Sequence, residues 1–296
     1  MISLSIIIVN YRSWKRLSAC LQSIEQQGLQ DLEVIVVDNF SNDGQGESFA
    51  AQFPHVKWVM QNINGGFAQA CNKGASHANG NWLLFLNPDT ILNTPVLQPL
   101  LERSEKETDW KLIGIRQLND AGKNTHPHGV FLKWWNMWPP FRSLERFIKG
   151  QKFSKQYLST APVAFPDWIS GAFVLIREND FQELGGWDER FWMYYEDMDL
   201  SKRAADKGWK RVMYNELVCI HSHGGSSRIN HDIKALTKST VIKSASIYIN
   251  KYMKGFARLV AQATLYKITI LDLLLSAPFS KTKRKMIRLF LKGYTI

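Results

Sequence analysis

Four short apolar runs occupy the first 92 residues, each closed by polar residues, with segments of helical spacing between them. This alternation leaves few architectures open. Ile6–Val9 is the first run, and Trp14 to Gln27 then places Leu17, Cys20, Leu21 and Ile24 at helical intervals before Gly28. Glu33–Val37, Val56–Met60 and Trp82–Leu86 are the other runs, with helices expected up to Phe53 and from Phe67 to His77. A β-α-β-α-β-α-β series predicts an α/β fold with a largely parallel sheet and helices on both faces. Ligands bind such sheets beyond the carboxyl ends of the strands, at the switch in strand order. Asn10, Asp38, Asn64 and Asp89 each follow an apolar run, so one crevice would collect them. Singly, each reads equally well as a turn residue or helix cap.

The pattern weakens from Asn93 to Pro166. A helix (Val96 to Glu107) and a strand (Leu112 to Ile115) precede an irregular stretch containing Lys133-Trp134-Trp135-Asn136-Met137-Trp138-Pro139-Pro140. Long irregular segments in compact domains are usually functional loops or mobile ones. Trp168 to Arg177 reads as one strand, a helix holding Glu196 to Leu200 runs to about Lys207, and Arg211–Tyr214 and Val218–Ile220 read as short strands.

Charge divides the chain sharply. Net charge is +11, yet residues 228–296 carry 14 Lys/Arg against only Asp232 and Asp272. A near-neutral body with a basic tail points to a polyanionic surface, a nucleic acid or an anionic membrane. The tail interleaves its cations with aliphatic runs such as Leu271–Leu275 and lacks stacking platforms, which disfavours nucleic acid. Three widely spaced cysteines (Cys20, Cys71, Cys219) exclude a disulfide scaffold and a four-thiolate zinc site, and imply a reducing, cytoplasmic setting. The opening run is too short for a signal core, and no stretch of 18 uncharged apolar residues predicts a clean membrane span.

Several constellations can carry chemistry. No Gly-x-Gly-x-x-Gly follows the first strand and no Gly-x-x-x-x-Gly-Lys occurs, which sets aside a dinucleotide dehydrogenase and a phosphate-loop NTPase. Asp38 can accept from a ribose hydroxyl or a base N–H. Asn87-Pro88-Asp89 ends a hydrophobic strand, and Asp89 there is either a hard oxygen ligand for Mg²⁺ or Mn²⁺ or part of a simple turn. Glu196, Asp197 and Asp199 follow five aromatics (Trp187, Phe191, Trp192, Tyr194, Tyr195). Apolar surroundings raise a carboxyl pKa and suit a general base, whereas acidic residues at a helix start also simply cap it. His221-Ser222-His223-Gly224-Gly225 can offer imidazole to a metal and backbone donors to phosphate. His55, His77, His126, His128 and His231 have no comparable neighbours and read as structural or surface.

Taken in order, these motifs resemble the inverting glycosyltransferases of family 2, and most closely their bacterial rhamnosyltransferase-like members. The carrying residues are Ser5–Tyr11, Val36–Gly44, Asn64–Ala68, Asn87–Asp89, Ser170–Phe173, Gly185–Phe191, Glu196–Leu200 and His221–Ser226, spanning about residues 3–227. The resemblance implies a GT-A fold, a Rossmann-like three-layer α/β/α sandwich with a mostly parallel mixed sheet. It divides the chain into a catalytic domain, 1–227, with a nucleotide-binding half to about 92 and an acceptor half beyond, and a basic helical extension, 228–296.

It further implies transfer from a nucleoside diphosphate sugar to a lipid-linked or saccharide acceptor in cell-surface polysaccharide (O-antigen or capsule) synthesis. Asn10, Tyr11, Asp38, Asn64, Gly65 and Asn87 would hold the nucleotide. Asp89 and His221 would hold Mg²⁺ or Mn²⁺. Asp197 would be the base, with Glu196 next to it, and Ser170, Gly171 and Trp187 would shape the acceptor site. Most of the family carries Asp-x-Asp where this chain has Asn87, a variant familiar among rhamnosyltransferase-like members that favours dTDP-rhamnose as donor. UDP-hexose or UDP-N-acetylhexosamine transfer, and a nucleotidyltransferase of similar sheet, are the alternatives. The extension is expected either to lie on the inner face of the cytoplasmic membrane or to cap the catalytic body.

Overall fold

Residues alternate across a strand, so a run apolar at every position needs a helix layer on each face. The computed structural model describes residues 2–125, 127–148, 161–222 and 231–292. The chain divides into two units: Met1–Gly129 with Ser154–Glu189 and Glu196–His223, and Val130–Phe153 with Arg190–Tyr195 and Gly224–Ile296. Segments 130–153 and 190–195 thus group with the C-terminal helices.

In the first unit β1 (Leu4–Asn10), α1 (Trp14–Glu25), β2 (Leu32–Asp38), α2 (Gly46–Gln52), β3 (Lys57–Met60), α3 (Phe67–Ala75) and β4 (Trp82–Leu86) follow the predicted order. Then come β5 (Thr90–Ile91), α4 (Leu97–Lys106), β6 (Trp110–Leu118) and β7 (His128–Gly129). After α5 (Pro139–Ile148), which belongs to the second unit, the first resumes with β8 (Val163–Ala164), β9 (Trp168–Ile169), β10 (Phe173–Arg177), α6 (Glu178–Leu184), α7 (Glu196–Asp206) and β11 (Lys210–His221).

The main sheet has the order β3-β2-β1-β4-β10-β6-β11-β5, with β8 on β11, while β7 and β9 pair separately. Strands β1, β2, β3 and β4 are parallel, β10 lies antiparallel between β4 and β6, and β11 runs parallel to β6. The sheet is mixed, and most of its strands end at one rim. One face buries Ile6, Ile8, Val36, Leu84 and Leu86 with residues of α1 and α4; the other buries Ile7, Val9, Ile35, Val37, Leu83 and Phe85 with residues of α3, α6 and α7.

Three local expectations change. Trp168–Arg177 is not one strand: a turn closed by Phe173 N donating to Ser170 O (3.3 Å) sends β9 and β10 into different sheets. The two short strands expected at 211–220 are a single β11, because an irregularity between Tyr214 and Val218 absorbs the mismatch without ending the pairing with β6. The stretch expected to be irregular gives way to α5 at Pro139-Pro140, since proline is well suited to the first turn of a helix.

In the second unit α5 accompanies α8 (His231–Tyr252), α9 (Gly255–Ser276), a 3₁₀ turn (Ala277–Phe279) and α10 (Lys281–Leu291). Ala235, Leu273 and Met286 bring α8, α9 and α10 together. Gly255–Phe279 is long and apolar enough to cross a membrane by length and composition, with 17% of its most apolar window buried. The segment carries Arg258, Lys267 and Asp272, so it is not an uncharged apolar run.

Gly74 lets α3 lie directly on β1, where a Cβ would come within 2.4 Å of Ile7 Cγ2. Overpacking of this kind typically costs about 1–3 kcal/mol. Gly74→Ala is therefore expected to lower the urea midpoint clearly. An unchanged midpoint would mean that the helix can ride off the sheet freely.

Candidate active site

The rim is held by hydrogen bonds between strand ends. Register sets Asn10 beside Asp38, and Asn10 Nδ2 donates to Asp38 Oδ1 (2.9 Å). Ser41 closes the clasp, donating from Oγ to Asp38 Oδ1 (2.5 Å) and from its backbone N–H to Oδ2 (3.0 Å). Ser41 Oγ also accepts from the Arg12 N–H (2.8 Å). Arg12, Phe40 and Asn42 have φ of 52°, 63° and 44°, and such left-handed residues persist only where surrounding structure holds them. Tyr11 is half-buried, with the Arg12 guanidinium 5.4 Å from its ring centre. Asn39 ties β2 to the next loop: its Nδ2 donates to Asn64 Oδ1 (3.0 Å) and its Oδ1 accepts from the Gly65 N–H (3.1 Å).

A second cluster forms where β4, β5, β6 and β11 converge. His221 Nε2 lies 3.2 Å from Asp89 Oδ1 and 3.4 Å from Asn87 Nδ2. On the other side of the ring, Nδ1 is 2.9 Å from Gln117 Oε1. A hydrogen bond from Nδ1 to that oxygen turns Nε2 toward Asp89 and Asn87. Arg16 Nη1 reaches Asp89 Oδ2 at 3.4 Å and donates to Ser222 O at 2.9 Å.

These atoms fit a divalent cation. Two adjacent ligands of an octahedral ion with bonds of about 2.1 Å sit about 3 Å apart, close to the 3.2 Å from His221 Nε2 to Asp89 Oδ1. Among the described residues no group of three or more His, Cys, Asp or Glu could hold a metal. Further ligands would be waters and phosphate oxygens, as is common for Mg²⁺. The expected contribution of the segment from His223 to Ser226 lies outside the described residues.

The third cluster surrounds Asp197, at the start of α7. It adjoins the second through the backbone, because Asn87 N donates to Ala172 O (3.0 Å) in the turn that follows Ser170. Gly171 N donates to Asp197 Oδ2 (3.2 Å) and Met198 N to Oδ1 (2.7 Å). A Cβ on Gly171 would meet Phe67 at 3.3 Å and Asp197 and Trp187 at 3.6 Å, so glycine allows this close approach. Half-buried Asp197 has its pKa pushed up to about 6 by desolvation, against the lowering effect of the two N–H donors. Glu196, 7% exposed, is pushed well above the ordinary range by burial and then by the charge of Asp197. Its Oε2 has no hydrogen-bond partner.

Trp187 is 2% exposed and lies edge-on to Phe67 and Phe85 (5.7 and 5.1 Å between centroids). It therefore backs the Ser170–Gly171 turn from within the core and offers no open face to a sugar. From the sequence, Asn39 and Ser41 enter only as part of the Val36–Gly44 motif, and Arg16 and Gln117 are not singled out. Gln117 carried the best signal, a polar residue just past the apolar run ending at Ile115.

Residues 5–159 match the family model described as "Glycosyl transferase family 2". The chain belongs to glycosyl transferase family 2. Among curated proteins, this glycosyltransferase is 24% identical over 252 residues to the N-acetylglucosaminyl-diphospho-decaprenol L-rhamnosyltransferase of Mycobacterium tuberculosis, covering 76% of this chain and 77% of that protein. It is 29% identical over 131 residues to rhamnosyltransferase WbbL of Escherichia coli K12, covering 44% and 48%. Among solved structures it is similar to GalNAc-T7 with UDP, GalNAc and Mn²⁺ (TM-score 0.59, 16% identity, 90% of this chain and 55% of that one). The mannosyltransferase PcManGT from Pyrobaculum calidifontis, in complex with GDP-Man and Mn²⁺, gives 0.56, with 15% identity over 98% and 79%. The fold of this family 2 enzyme is GT-A, with C-terminal helices added.

An acid with a raised folded-state pKa binds its proton more tightly in the folded chain. Its contribution to stability is then fully present below the unfolded value, about 3.9 for Asp, and is lost as pH rises through about 6. Asp197→Asn removes this dependence and is expected to flatten the decline of the urea midpoint across that window. An unaltered slope would place the raised pKa elsewhere.

Proposed function

We propose that this glycosyltransferase moves L-rhamnose from dTDP-rhamnose, with inversion, to a lipid-linked or saccharide acceptor in bacterial surface polysaccharide synthesis. The observation that carries the reading is a pair of neighbouring clusters on one rim, Asp89–His221 and the Gly171-braced Asp197. The family match and the rhamnosyltransferase names of the two relatives support the reaction class and the donor.

Asn10, Tyr11, Asp38, Asn64, Gly65 and Asn87 line the path of the nucleotide, and Asn39 holds its two loops together. Asp89 and His221 would hold a divalent metal, which when bound supplies positive charge for the departing diphosphate. The Mn²⁺ in the two solved neighbours supports such a group in this fold. Asp197 takes the proton of the acceptor hydroxyl as that oxygen bonds to the anomeric carbon and the bond to diphosphate breaks on the opposite side. A carboxyl tuned to about 6 suits this task near neutrality. The N–H groups of Gly171 and Met198 fix its orientation. Burial and the charge of Asp197 push buried Glu196 well above the ordinary carboxylate range, which favours its neutral form.

Acceptor supply favours a membrane setting, with the extension lying on the inner leaflet. Arg258, Lys267 and Asp272 along α9 favour lying in the interface over spanning, since a charge at the centre of a span costs about 2.5–3.5 kcal/mol or more. Within the extension, Lys283 pairs with Asp272 and Lys285 with Asp232. Its attraction to anionic lipid is therefore smaller than its count of cations suggests.

Asp197→Asn is expected to keep donor binding while transfer falls by about 10²–10⁴-fold. In the wild type kcat/KM should rise with pH through about 6 and then level, because the base acts unprotonated. Normal turnover in the variant at saturating substrates would overturn the assignment. Donor identity follows from a thermal-shift panel of nucleotide sugars with Mn²⁺ or Mg²⁺. A ligand at about 100 times its Kd adds about 2.7 kcal/mol, and a response to UDP sugars alone would replace the rhamnosyl reading.

A further inference from the structure

Helix α5 is built inside out. Its carboxylate, Glu145, is 5% exposed, while Phe141, Leu144, Phe147 and Ile148 are 53%, 51%, 61% and 74% exposed. Glu145 is held inward by Asn136 Nδ2 and Lys133 Nζ, both at 2.6 Å. Asn136, itself fully buried, accepts at Oδ1 from the Lys133 N–H (2.7 Å) and at its carbonyl from Arg142 Nε (3.1 Å). This polar network fixes the helix so that spacings of three and four residues put the apolar side chains on one outward stripe. In water the arrangement is the reverse of what burial favours.

Trp134 and Trp138, 43% and 46% exposed, extend the stripe toward the N-terminus of α5. Trp134 packs edge-on against Phe256 at 6.5 Å and 68°, which makes the stripe continuous with α9. There Phe256 and Leu259 are 73% and 68% exposed, beside Lys254 and Arg258. Aromatics, an outward aliphatic stripe and flanking cations match the boundary between anionic headgroups and acyl chains.

We propose that residues 134–148 form a bilayer-insertion element, their apolar stripe entering the headgroup–acyl boundary of an anionic membrane alongside the start of α9. This rests on the membrane reading of the C-terminal extension and adds to it a contact made by a different part of the chain. The insertion is shallow and parallel to the surface, because α5 is only 10 residues long.

The test uses the full chain. Cys20, Cys71 and Cys219 are 0–1% exposed, so a polarity-sensitive dye attached to Leu144→Cys reports on that position alone. Phosphatidylglycerol-containing vesicles should brighten and blue-shift the dye, and spin-labelled acyl chains should quench it. A dye on Gln98→Cys, exposed on α4, should not respond. Replacing Phe141, Leu144 and Phe147 together by Ser should lower vesicle partitioning at least about tenfold at high salt, where the electrostatic part is screened.

Chain that sediments with vesicles while the dye at position 144 stays silent overturns this proposal and leaves the extension as sole anchor. Chain that does not sediment overturns the membrane reading as well. A dye response without vesicles, with a doubled mass in light scattering, would assign the stripe to a second copy of the chain and overturn lipid insertion.

Discussion

Parallel register is the constraint on which the rest depends. Once β1 pairs with β2 and β4, Asn10 must lie beside Asp38 and the residues after Leu86 must emerge at the same rim. Antiparallel β10 then begins where β4 ends, since Phe173 pairs with Leu86, and this brings the Ser170–Ala172 turn to Asn87. The pairing of β5 with β11 does the same for Asp89 and His221. A slip of one residue in any of these pairs would turn apolar side chains off their own core face and separate the polar groups. The large apolar surfaces on the two faces therefore hold the geometry of a site made of few polar atoms.

That dependence explains what was legible. Strand ends are visible because an apolar run stops at a polar residue, and Asn10, Asp38 and Asp89 were found that way. Residues acting across long sequence separations leave no local mark. Gln117 meets His221 104 positions later, and Arg16 meets Ser222 206 positions later. The turn at Ser170 is hidden because Trp168–Arg177 reads as a single β-rich run until two different sheets claim its halves. Helix α5 is hidden by Pro139-Pro140, and the burial of its glutamate cannot be read from spacing at all. Of the two neighbouring acids, only the structure separates Asp197, braced by backbone donors, from Glu196, buried with Oε2 unpartnered.

Desolvation raises the pKa of both carboxyls, and what opposes it differs between them. On Asp197 it is opposed by two N–H donors, and the result is a group that exchanges a proton near neutral pH. On Glu196 the charge of Asp197 adds to it, and the group is pushed well above the ordinary range, toward its neutral form. Cys71, 1% exposed, is likewise pushed up chiefly by burial. A charged pair at this spot would cost several kcal/mol. Keeping one member neutral lets the other ionise.

The clasp around Asp38 sets a limit on what the rim can read. A carboxylate has about four lone-pair positions, and three of them are filled by Asn10 Nδ2, Ser41 Oγ and the Ser41 N–H. One remains. Asp38 therefore serves a single incoming donor, and the forked grip that a free carboxylate makes on two adjacent hydroxyls is closed to it.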